Sequence, residues 1–180
     1  MTSLHQSTMD ALAHYVAPTA EQDSVRHTML AFLAASPDGC LRRNAPGHIT
    51  ASSLILSPDR TEVLLTLHPK VGRWIQLGGH CEETDHTIFD AALREAREES
   101  GINDLQLDTK VLALHTHPIT CSLGVPTRHL DVRFLILAPQ GAEISRSSES
   151  DDLRWWPINA LPPNAEHDTV QQMVDLALRR

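Results

Sequence analysis

The chain is 180 residues long, enough for one domain with a sizeable core and an added segment. Its net charge of −8, from 15 basic and 23 acidic side chains, argues against general binding of nucleic acid or an anionic membrane. No apolar run reaches membrane length, no basic-then-hydrophobic leader opens the chain, and Cys40, Cys81 and Cys121 form no disulfide or metal pattern, so a soluble cytoplasmic protein is expected.

In chain order, residues 4–16 place Leu4, Ala11, Leu12, Tyr15 and Val16 at helical spacing, and Pro18 stops them. Thr19-Ala20-Glu21-Gln22 reads as a capping box for a second helix with Val25, Met29, Leu30, Phe32 and Leu33 on its apolar side. This segment, 1–45, could cover one end of the core, form a homodimer surface or roof a substrate site. Residues 48–57 and 63–68 are β-rich runs joined as a hairpin, and 72–77 form a short strand leading to Gly78-Gly79.

The next helix is expected over 85–100, with the Asp85 carboxylate as its cap and Gly101 at its left-handed end. With Glu95 set at zero, Glu98 falls at about 300° and Glu99 at about 40°, so three carboxylates share an arc of about 100°. Phe89, Ala92, Leu93 and Ala96 fill the neighbouring arc, which gives the helix a packing side bordered by acids. Carboxylates this close raise one another's pKa unless a positive charge sits among them. Mg²⁺ or Mn²⁺ suits that place, being hard cations that take oxygen ligands and keep waters for a phosphate to displace. The ordinary alternative is a solvated charged face, with Arg94 and Glu98 as an i,i+4 pair.

Beyond the helix, residues 107–117 and 129–139 are strand-like around a loop with Gly124 and Pro126. A last short strand, 150–157, carries Trp155 and Trp156, and 166–180 form an amphipathic helix with Val170, Met173, Val174 and Ala177 on one side. The fold class is α+β.

The double glycine, polar loop, acid and following Arg94-Glu95-Ala96-Arg97-Glu98-Glu99-Ser100-Gly101-Ile102 resemble the Nudix box of the Nudix hydrolases. The family pattern is Gly, five residues, Glu, seven residues, then Arg-Glu-(apolar)-x-Glu-Glu-x-Gly-(apolar). Gly79, Arg94, Glu95, Ala96, Glu98, Glu99, Gly101 and Ile102 match it. Asp85 stands where the family has Glu, and eight residues separate it from Arg94, so Asp85 is expected to cap the helix and not to join the acids.

The resemblance implies a Nudix-like α/β/α sandwich with a mixed sheet over 46–180, following the helical segment 1–45. It also implies a metal-dependent pyrophosphohydrolase whose substrate is a small diphosphate, a nucleoside diphosphate linked to another group. The Gly79 carbonyl, Glu95, Glu98 and Glu99 would hold Mg²⁺ or Mn²⁺, Arg94 would position the glutamates, and Glu99 or the loop acid Glu149 would accept a proton. Two other readings stay open. One is an isomerase of isopentenyl diphosphate, which a related fold carries out with an acid and usually a cysteine, here Cys81. The other is a binding module without turnover.

Several residues outside the box are candidates. Lys70, Arg73, Arg42 and Arg43 could grip a charged substrate or be ordinary surface charge, and His80, in the box loop, could meet a phosphate. His115 and His117 share one face of a strand. With His129 they suit structural or substrate-contacting imidazoles better than a zinc site, since no cysteine has matching spacing. Glu149 equally fits a solvated acidic loop. Trp74, Trp155 and Trp156 are expected in the core or at its rim.

Overall fold

The computed structural model describes residues 3–120 and 124–180; Cys121 and part of the Gly124 loop lie outside them. The elements run α1 (Leu4–His14), α2 (Ala20–Ala35), β1 (His48–Leu56), β2 (Glu62–His68), β3 (Arg73–Ile75), β4 (Leu77–His80), α3 (Ile88–Ser100), β5 (Gln106–Thr120), β6 (Pro126–Leu137), β7 (Asp152–Pro157) and α4 (His167–Leu178). Among the described residues no helix is long and apolar enough to cross a membrane.

The sheet is mixed. Strands follow the order β3-β2-β1-β6-β5, with β4 added to β1 and β7 to β2. β1 runs parallel to β6, His48 opposite His129 and Leu56 opposite Leu137, while β1 with β4 and β5 with β6 are antiparallel. This non-local pairing makes β1 central, and all nine of its residues are buried.

Side chains alternate along β1, so its two faces serve different layers. Ile49 and Ala51 pack with α1, α2 and the start of α3, and Ile55 packs with the rest of α3. Leu54 and Leu56 turn the other way, into a cluster with Val170, Met173, Val174 and Ala177 of α4. The result is the expected sandwich of helices about a mixed sheet.

The N-terminal helices share a core with the sheet: Leu12, Tyr15, Met29 and Leu33 pack with Phe134 and Leu114. Two details differ from expectation. α1 stops at His14, because the Tyr15 N–H closes on the Leu12 carbonyl, and Val16 is 89% exposed instead of packed. Thr19 caps α2, but Gln22 is not a reciprocal capping partner. Its amide bonds both backbone groups of Leu114 and accepts from the Tyr15 hydroxyl at 2.9 Å, because a buried amide needs partners on both ends.

The strand expected over 72–77 is split at Gln76 into β3, paired with β2, and β4, paired with β1. Trp74 is buried edge-on to Trp156, with ring centroids 5.3 Å apart, as a core pair.

Candidate active site

α3 presents the acids, and its start differs from the expected one. The N-cap is Thr87, whose hydroxyl accepts from the Asp90 N–H at 3.1 Å, while the Asp90 carboxylate accepts from the Thr87 N–H at 2.9 Å. Asp85 lies two residues before that cap, buried, and is not the helix cap. Its carboxylate accepts from the Glu82 N–H at 2.8 Å and from two nitrogens of Arg94. A capping box at the true helix start frees Asp85 to fold back on the guanidinium. The helix ends as expected, with Gly101 in the left-handed conformation at φ 74°.

Arg94 is the hub of the site. Nε and Nη2 reach Asp85 at 3.0 and 2.9 Å, and Nη2 also donates to the His80 carbonyl at 2.9 Å. Nη1 donates to Glu95 at 2.9 Å and to Glu98 at 3.1 Å. One planar guanidinium thereby fixes two of the three box glutamates, and the carboxylates that accept from it, Asp85 first, keep it charged.

The third, Glu99, is 6% exposed and accepts the Gly78 N–H at 2.8 Å. Gly78 has φ 148°, and a Cβ there would stand 2.5 Å from the Ser52 backbone, so only glycine brings that N–H to the carboxylate. Gly79 is pressed against Glu95: a Cβ on it would lie 2.6 Å from the carboxylate. Glu98 is the exposed member, its side chain 59% accessible.

Burial pushes the Glu99 carboxyl up to about 8 and the Glu95 carboxyl up to about 7, against the neighbouring Gly78 N–H and Arg94 respectively. The charges of Glu98 and Glu149 raise both further. Glu149 is exposed, its loop folded by the Glu149 N–H on the Ser147 hydroxyl, and near enough for both buried glutamates to feel it.

These residues fit a hard divalent cation: an all-oxygen donor set whose buried carboxylates hold their protons tightly unless a positive charge replaces them, beside a backbone that only glycine lets so close. Glu95, Glu98, Glu99 and the Gly79 backbone are the groups that could hold it.

The other candidates are dispersed. Lys70 and Arg73 are exposed on and beside the turn between β2 and β3, where the Lys70 N–H donates to His68 Nδ1 at 3.2 Å. Arg43 is engaged by Asp38 at 2.8 Å and by Glu83. Cys81 is buried, and burial holds its thiol well above the usual range, a poor fit to a cysteine that must touch a substrate carbon.

His80 gives its carbonyl to Arg94, but its ring leaves the acids. Successive residues of a strand point to opposite faces, so Gly79 faces Glu95 and His80 faces the layer beneath. There His80 meets His129 and His48, each with ring centroids about 5 Å away. His115 and His117 share a face as expected, Nδ1 to Nδ1 at 3.4 Å, and His129 meets His117. His48 was not singled out from sequence; only the β1/β6 register brings it to His129.

Known proteins point the same way. A family model described as NUDIX domain matches residues 46–176. The NAD-capped RNA hydrolase NudC of Pseudomonas aeruginosa is 25% identical over 135 residues, 73% of this chain and 45% of that protein. The m7GpppN-mRNA hydrolase NUDT17 of Danio rerio is 35% identical over 68 residues, 36% of this chain and 22% of that protein. The chain thus spans less than half the length of these curated relatives. A solved hydrolase of the NUDIX family from Clostridium perfringens superposes with a TM-score of 0.57 at 27% identity, covering 74% of this chain and 98% of that one. The domain match over most of the sequence, on a fold that gathers the box residues around Arg94, shows that this chain belongs to the Nudix hydrolase family.

Proposed function

We propose that the chain is a metal-dependent pyrophosphohydrolase cleaving the diphosphate of a nucleoside diphosphate linked to another group. The observation that carries this reading is the convergence of Glu95, Glu98 and Glu99 on the Gly78-Gly79 backbone about one guanidinium. Relatives named as hydrolases of NAD-capped RNA and m7GpppN-mRNA support the substrate class. In this reading 46–180 is the hydrolase domain and 1–45 a helical cover on its core. The free thiols of Cys40 and Cys81 accord with a cytoplasmic setting.

Glu95, Glu98, Glu99 and the Gly79 carbonyl would hold Mg²⁺ or Mn²⁺. When bound, the cation offsets charge on the diphosphate oxygens and lowers the pKa of the attacking water. Arg94 keeps Glu95 and Glu98 in one orientation, so no reorganisation is needed as charge develops at phosphorus. Glu99 or the loop acid Glu149 takes the proton from the water. Lys70 and Arg73 supply exposed positive charge to the substrate's phosphates, while His80, its ring turned away, is left out of the substrate contacts.

The test is a screen of metal-saturated protein against nucleotide sugars, dinucleoside polyphosphates, nucleoside triphosphates, capped nucleotides and isopentenyl diphosphate, with Mg²⁺ and with Mn²⁺. Release of two phosphate-bearing fragments from a diphosphate-linked substrate is expected. An isomerised isopentenyl diphosphate, or binding without cleavage across the panel, would overturn the reading.

A further inference from the structure

The face of the sheet opposite the acids carries a second group of ligating side chains. His48 lies opposite His129 across the parallel β1/β6 pair, and His80 lies opposite Thr50, two residues along β1 from His48. Residues paired across strands, or two apart on one strand, share a face, so the three imidazoles converge beneath β4 while Ala51, Gly79 and Glu95 occupy the other side. One ligating atom from each of the three lies within 4.8 Å of the other two.

Convergence alone would describe a stack of histidines. The nitrogens show more: Nε2 of His48, of His80 and of His129 are all buried, and none has a hydrogen-bond partner among the described residues. Buried polar atoms are almost always paired, so three unpartnered imidazole nitrogens on rings gathered this closely call for a shared partner. His48 is 1% exposed, and its Nδ1 contacts the Asn44 carbonyl at 3.3 Å. A carbonyl can only accept, so Nδ1 carries the proton and the buried Nε2 is left with a free lone pair, the tautomer of a metal-binding histidine. Asn44 is itself held by its amide on the Gly47 carbonyl at 2.6 Å.

We propose that His48, His80 and His129 bind one transition-metal cation of the zinc class, separate from the divalent ion of the acid cluster. An all-imidazole set suits Zn²⁺, Co²⁺ or Ni²⁺ and is a poor host for Mg²⁺, whereas the all-oxygen set across the strand has the opposite preference. Metal–nitrogen distances of about 2.0–2.1 Å require the three rings to close inward by roughly 1 Å, within the reach of small χ rotations. His117 packs against His129, with ring centroids 5.1 Å apart, and is the next imidazole on that side of the strand. The ion would tie β1, β4 and β6 together directly beneath the strand that presents Gly79.

The experiment uses the full chain, stripped with a chelator and titrated with Zn²⁺ and Co²⁺ in millimolar Mg²⁺, which keeps the acid cluster filled. One tightly bound equivalent is expected, with a rise in melting temperature and an X-ray absorption spectrum of the zinc-loaded protein showing three or four imidazoles at about 2.0–2.1 Å. His129→Gln should weaken binding at least about ten-fold, the loss typical of removing even a supporting contact to a ligand. No stoichiometric uptake above the Mg²⁺ background, two or fewer imidazole ligands, or wild-type affinity in folded His129→Gln would overturn the proposal. The ligand count is read from the wild-type protein and decides even if that variant does not fold.

Discussion

The Arg94 guanidinium clasps the Asp85 carboxylate through two nitrogens at 3.0 and 2.9 Å, with the Asp85 side chain 4% exposed and that of Arg94 20% exposed. The loop before α3 is thereby bolted to the arginine that also orders Glu95 and Glu98. Removing Asp85 leaves Nε and Nη2 of a mostly buried guanidinium without their carboxylate acceptor, although Glu95 and Glu98 still face Nη1. Asp85→Ala should therefore cost about 3 kcal/mol of stability, more than loss of a helix cap, and Asp85→Asn less, since it keeps an acceptor. Both should lower turnover, because Arg94 loses the contact that aims it. Urea denaturation curves beside turnover numbers check this; an Asp85→Ala variant as stable as wild type contradicts it.

The helix cap belongs to Thr87, at the edge of the site and away from the acids. Thr87→Ala should cost about 0.5–2 kcal/mol and leave turnover near wild type at saturating metal. Equal losses of stability and turnover would mean that the helix start is coupled to the chemistry.

How much of this was legible follows from what each signal depends on. The acid arc on α3 and the end at Gly101 were readable because helical spacing and a left-handed glycine are local properties. The role of Asp85 was not, since the path of 81–87 is set by Arg94, nine residues further on. A local sign existed, Thr87-x-x-Asp90 being a capping-box pattern with a short acid, and Asp85 obscured it. His48 could not be joined to His80 and His129 from sequence, because a parallel β1/β6 pair joins strands some 80 residues apart whose register no local pattern fixes. Gln22 reaching Leu114 is the same kind of long-range contact.

Gly79 tests how closely backbone and carboxylate must approach. Gly79→Ala would put a methyl 2.6 Å from Glu95 Oε2, and Glu95, the end of a flexible side chain, would have to move. A displacement of about 1 Å in a positioning group can cost about 10² in rate. Turnover should fall by that order while the melting temperature changes little; a fully active Gly79→Ala protein would contradict the packing described.

Metal-free stability should fall as pH rises. Glu95 and Glu99 are pushed up to about 7 and about 8 from an ordinary 4.5, so the folded state holds their protons more tightly than the unfolded chain does. Their stabilising contribution is complete below the unfolded value and is lost as pH climbs through the folded ones. The buried histidines act in the opposite sense, because burial lowers their pKa from 6.5 in His48, His80 and His129, and they favour folding less as pH falls below that value. From about pH 6.5 to 8 the carboxylates therefore dominate the slope. Denaturation in chelator across that window should show falling stability in wild type and a flatter line in Glu99→Gln. A rise in wild type would contradict the assigned protonation.

Glu98 gives the most direct test of the site as a hydrolytic metal centre. It is the exposed glutamate, held by Arg94 at 3.1 Å and free of structural contacts in the core, so Glu98→Gln removes a charge and leaves the fold in place. With Mg²⁺ or Mn²⁺ saturating and a cleaved diphosphate substrate in hand, the decisive measurement is the turnover number of folded Glu98→Gln beside wild type. A drop of at least about 10² is predicted, as expected when charge stabilisation in the transition state is lost. A near-normal rate would contradict the assignment of these carboxylates to the chemistry.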